Sequence, residues 1–167
     1  MATRSAHKLT TDETNELQQI LGRRPDVLVL GRGPQGFVAL LRDRMVVRHA
    51  QGWQLVAWTD IQRGGWNSDT NKLRWELVDG TRGEAILDEP AGLPHAFAER
   101  VRASIVVARQ FDLDDDLGTV QVVGRRRPGS DDPISWQAEG LGRCDLTDPK
   151  VGSLVLDLVE QMRVEYE

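Results

Sequence analysis

The run VLVLGRGPQGFVALL, residues 27–41, sets Gly31, Gly33 and Gly36 in the G-x-G-x-x-G spacing directly behind a short apolar stretch. Glycines so spaced let the backbone close on a pyrophosphate held at a helix N-terminus, so nucleotide binding is the first chemistry to weigh. A second candidate is the triplet Arg125, Arg126 and Arg127, because three guanidinium groups at one hairpin tip can grip a phosphate or a lipid headgroup. Asp131 and Asp132 stand across the same turn, placed to pair with the arginines and cancel much of their field. Asp112, Asp114 and Asp116 follow the spacing of the first ligands of a calcium loop. The sixth place, however, holds Leu117 where glycine is needed, and the twelfth holds Val123 where glutamate is needed. His7, His49 and His95 have no metal-ligand spacing, and the single cysteine, Cys144, reads as a small buried thiol. With no nucleophile elbow, H-E-x-x-H or phosphate-cradling lysine loop, the expectation is a non-enzyme using neither cofactor nor metal.

Each candidate depends on the elements that carry it. A dinucleotide turn needs its third glycine to open a helix of about ten or more residues and an acidic residue about 20 positions on. FVALLRDRMVVRHA is broken at residues 42–44, its two apolar runs read as paired strands, and position 49 is histidine. From Pro25 to Asp88 apolar runs at 26–31, 37–42, 45–49, 53–58, 60–66, 72–78 and 83–87 alternate with hairpin-sized turns, predicting an antiparallel meander. Ahead of it, Thr10 and Glu13 have capping-box spacing, and Leu17, Ile20 and Leu21 share a face, so a short helix should end at Gly22. Behind it, Leu93, Phe97, Val101, Ile105 and Ala108 recur at helical spacing, predicting about four turns with Pro94 in the first. Strands at 119–125 and 133–139 and a helix from about Asp148, with Val151, Val155, Leu158 and Met162 on one face, complete the chain. Alternation puts Trp53 and Trp58 on opposite faces of one strand. Cross-strand packing explains these and Trp66 and Trp75, and an aromatic groove is the alternative.

At 167 residues, the chain can bury one sizeable core with an appendage. No apolar run approaches the roughly 20 residues of a membrane helix, and MATRSAHKLTTDE lacks the apolar centre of a secretion signal; a cytoplasmic protein without membrane insertion is expected. The net charge of −5 resides entirely in residues 92–167, whereas residues 1–91 balance. A general nucleic-acid binder would carry a basic surplus, so nucleic acid is not an expected partner.

GWQLVAWTDIQRGGWNSDTNKLRWELVDG, with Trp58, Thr59, Asp60 and Ile61 at its centre, resembles the middle of bacterial pleckstrin-homology-like domains, and FAERVRASIVVAR resembles the helix that plugs their sheet. The order of Trp-rich meander, helix and RRxPG hairpin is also similar to a group of proteins from high-GC bacteria. The resemblance, over residues 24–111, implies an α+β fold: a seven-stranded antiparallel meander or barrel closed by a helix. Around it stand a helical segment at 1–23 and a β-hairpin plus helix at 118–167. Lipid-binding members place several basic residues between the first two strands, where this chain has only Arg32. The scaffold implies no reaction. The expectation is therefore a non-catalytic cytoplasmic module that binds another protein or peptide. Two alternatives stay open: an anion or lipid-headgroup binder using Arg125, Arg126 and Arg127, and a nucleotide-dependent enzyme using Gly31, Gly33 and Gly36.

Overall fold

Thr10 starts the first helix by satisfying two amides at once. Its hydroxyl accepts from the Glu13 amide at 3.2 Å, and the Glu13 carboxylate accepts from the Thr10 amide at 2.8 Å. A computed structural model of the chain describes residues 8–114 and 116–167, so His7 lies outside the described residues. Two compact units meet in sequence between Arg102 and Ala103.

The first unit contains helix α1 (Thr11–Leu21) and strands β1 (Val29–Gly33), β2 (Gly36–Leu40), β3 (Arg44–His49) and β4 (Gly52–Ala57). After a 3₁₀ turn at Trp58–Asp60 come β5 (Ile61–Asn67), β6 (Lys72–Leu77), β7 (Arg82–Ile86) and helix α2 (Leu93–Ala103). Every strand pairing is antiparallel, in the orders β1-β2-β3-β4 and β5-β6-β7. The seven strands fall where hydrophobic alternation put them, but among the described residues no closed barrel forms. The 3₁₀ turn separates β4 from β5, and β1 is joined to the chain beyond β7 by an isolated bridge between Arg32 and Glu89 rather than by a paired strand.

One apolar layer joins these elements. Val38, Leu40, Met45, Val47 and Val56 from the four-stranded sheet pack with Leu73 and Trp75 from the three-stranded one, and Leu93 and Phe97 of α2 enter the same cluster. Trp58 is fully buried within it, donates its indole N–H to the Leu41 carbonyl at 3.0 Å, and meets the Phe97 ring edge-on at 6.1 Å. On the opposite face of the four-stranded sheet, Leu17 of α1 packs on Leu30, Phe37, Ala39, Leu41 and Val46. Ile20, expected on that face, is exposed, because the helix seats itself through Leu17 and Leu21.

The second unit corrects the expected hairpin. Helix α2 ends at Ala103 rather than continuing to Ala108, and Ile105–Leu113 forms a strand, β8, antiparallel to β9 (Gly118–Arg125), which also pairs with β10 (Ser135–Leu141). The run Ile105, Val106, Val107 is β-branched and favours strand, and alternate residues of β8 are exposed in a period of two. Helix α3 (Pro149–Tyr166) begins at Asp148, whose side chain accepts from the Lys150 amide at 3.0 Å. It buries Val151 and Val155 against Val120, with Cys144 half-buried at the margin rather than fully enclosed.

Two outcomes follow from this packing. Phe97→Ala, which removes the ring that fills the core beside Trp58, should lower unfolding free energy by about 3–5 kcal/mol in urea titrations. Arg32 grips the Glu13 carboxylate through two bonds, at 2.6 and 3.0 Å, and this pairing holds the Glu13 carboxyl below its ordinary range against the opposing effect of burial. A folded value below the unfolded one means that the stabilisation is complete above the unfolded value and disappears as pH falls through the folded one. Glu13→Gln should therefore flatten the acid limb of stability measured from about pH 7 to about pH 3.

Candidate functional site

The three glycines of the G-x-G-x-x-G motif lie in the β1–β2 hairpin, where Gly33 pairs with Gly36. Gly36 opens a strand, not the helix that a dinucleotide turn requires. These glycines answer a packing need: a Cβ on Gly33 would stand 1.7 Å from the Ile86 carbonyl oxygen, and one on Gly36 would stand 1.7 Å from that of Arg48. Arg32, between them, is committed to Glu13, to the Lys8 carbonyl at 2.8 Å and to the face of the Phe37 ring.

The arginine triplet does not converge. Arg125 is buried, with its Nε donating to Gln137 at 3.2 Å and a terminal nitrogen to the Ser104 hydroxyl at 3.4 Å. Burial lowers its pKa, and Glu139 opposes that effect. The Arg126 amide donates to the Ser104 carbonyl. Arg127 is exposed and pairs with Asp132 at 3.1 Å, the neutralised turn that the sequence suggested. Elsewhere, Asp112 accepts from the Thr119 hydroxyl at 2.8 Å, the His49 ring meets the Gln54 side chain at 3.1 Å, and His95 is exposed. Among the described residues, no group of three His, Cys, Asp or Glu is placed to hold a metal, and no helix is long and apolar enough to cross a membrane.

A concavity of about 680 Å³ lies over the β5-β6-β7 sheet. Strand alternation builds it. Leu73, Trp75 and Leu77 of β6 turn toward the core, so Lys72, Arg74 and Glu76 must share the other face. Cross-strand register then sets three rows on that face: Arg63, Glu76, Arg82; Gly65, Arg74, Glu84; and Asn67, Lys72, Ile86. Glu76 lies 3.5 Å from Arg63 and 4.0 Å from Arg82, while Glu84 lies 3.5 Å from Lys72 and 3.8 Å from Arg74. Among the described residues of these three rows, four cations stand with two carboxylates, in a chain whose net charge is −5. The place of a side chain at Gly65 is open space, with nothing within 4 Å of a Cβ built there. These residues were not picked out from the sequence, although alternating charge along KLRWEL and RGEAI was their visible signal. The tryptophans divide as alternation requires: Trp58 is in the core, whereas Trp53 faces α1, its N–H donating to Glu16 at 3.2 Å.

Set beside family models, curated proteins and solved structures, the chain matches none of them. Among the described residues it is an α+β protein with three antiparallel sheets and three helices.

The different settings of the arginines predict different costs. Arg125→Ala strands the polar partners around a buried cation and should destabilise the protein by more than about 1 kcal/mol, whereas Arg127→Ala should stay within about 0.5 kcal/mol by thermal or urea unfolding.

Proposed function

We propose that the first unit is a pleckstrin-homology-like module, non-catalytic, that acts by binding another protein. One observation carries the reading: four antiparallel strands in one sheet, three in the next, then a helix whose Leu93 and Phe97 enter the core between them. That is the order the sequence resemblance implies. Two further features favour protein binding. β5 is an edge strand of its sheet, and edge strands offer backbone groups to an incoming segment. The adjoining concavity falls within the roughly 300–1,000 Å³ typical of ligand pockets.

The test is photo-crosslinking in cells, with a photoreactive side chain at Arg74 on the β5-β6-β7 face or, for comparison, at Leu156 on the exposed side of α3. A discrete protein adduct at position 74, whose partner then binds the purified protein, is the expected result. Adducts at neither position, or adducts only to lipid or nucleic acid, would overturn the reading.

A further inference from the structure

From the charged grid over β5-β6-β7 we infer that its occupant is an acidic peptide segment, one of whose carboxylates settles in the notch at Gly65. This rests on the binding-module reading and names the chemistry of the partner. The notch has a defined wall. Arg63 precedes Gly65 by two residues and Asn67 follows it by two on the same face of β5, while Arg74 is its direct cross-strand partner. Neighbours along a strand face are about 7 Å apart and those across strands about 5 Å, so Arg63, Asn67 and Arg74 are the same-face neighbours of the open place at Gly65, with side chains long enough to reach a group seated there. A carboxylate there receives charge-assisted hydrogen bonds from Arg63 and Arg74 in the geometry that arginine favours.

Charge complementarity selects an acidic partner, and the position of the carboxylates selects a peptide. Glu76 and Glu84 are set among the cations, at 3.5–4.0 Å from them. A polyphosphate backbone or anionic bilayer presents negative charge everywhere and is repelled at both points. A peptide can place its carboxylates opposite Arg63 and Arg74 and leave neutral residues opposite Glu76 and Glu84. The Gly65 backbone supplies a floor no side chain obstructs, and the adjacent β5 edge lets the segment run alongside.

Fluorescence anisotropy on the full chain provides the test, using a labelled peptide of about twelve residues with glutamate at alternate positions. A lysine-for-glutamate counterpart, phosphatidylserine vesicles and a single-stranded oligonucleotide serve as the other arms. The acidic peptide should bind, and binding should weaken from about 0.05 M to about 0.5 M salt. Arg74→Glu should weaken it about tenfold or more, the loss of a charge-assisted contact. Gly65→Glu, which puts a tethered carboxylate into the notch, should abolish peptide binding while keeping the native circular dichroism spectrum. Glu84→Gln should strengthen binding, and Arg126→Glu should leave it unchanged. The inference is overturned if the acidic peptide does not bind, if Arg74→Glu or Gly65→Glu leaves binding intact in the folded protein, or if vesicles or the oligonucleotide bind more tightly. A protein adduct at position 74 without acidic-peptide binding would sink this occupant alone, whereas adducts at neither crosslinking position would remove the module reading itself.

Discussion

Between the four-stranded and three-stranded sheets lies one shared apolar layer, and Trp58 stands where the chain passes from one sheet to the other. Its ring is closed off from solvent, its N–H is satisfied by the Leu41 carbonyl, and Phe97 of α2 packs edge-on against it. A buried indole N–H gains from a partner, and Trp58 has one where the Trp75 indole in the same core does not. The turn at Trp58–Asp60 that carries this side chain stands between β4 and β5, where pairing passes from one sheet to the other.

The location of the exposed charged face follows in turn. The four-stranded sheet is covered on its second side by α1, with Leu17 seated on Phe37, Ala39 and Val46. The three-stranded sheet uses its inner side in the common core and carries only Arg, Lys, Glu, Asn, Gly and Ile in the three rows on its other side. Burial on one face forces polarity on the next residue of each strand, and register makes neighbours of residues far apart in sequence. Arg63 and Arg82 thus share Glu76, though they stand 19 positions apart in sequence.

Four arginines show how far surroundings govern one residue type. Arg32 ties β1 to the capping glutamate of α1; Arg125 is buried beside Ser104 and Gln137; Arg127 closes a surface turn with Asp132; Arg74 stands exposed beside Glu84. The first two hold the fold together, because their hydrogen bonds are partly or wholly removed from water. The third contributes little, because solvent screens it. The fourth lines the concavity over its sheet.

Local pattern was enough for the seven strands, the Thr10–Glu13 cap, the α3 start at Asp148 and the opposite facings of Trp53 and Trp58. Each depends on periodicity or on a side chain reaching a backbone group a few residues away. The end of α2 was not legible, since Val101, Ile105 and Ala108 fit a helical period while Ile105, Val107 and Arg109 fit a strand, and pairing with β9 decided the matter. The site was not legible either. Alternation along β6 marks Lys72, Arg74 and Glu76 as one face, but only the register of β5 and β7 against it brings Arg63, Gly65, Arg82 and Glu84 alongside. Periodicity is a property of the local chain and is written in the sequence; register is a choice among competing long-range pairings, made only when the shared core closes.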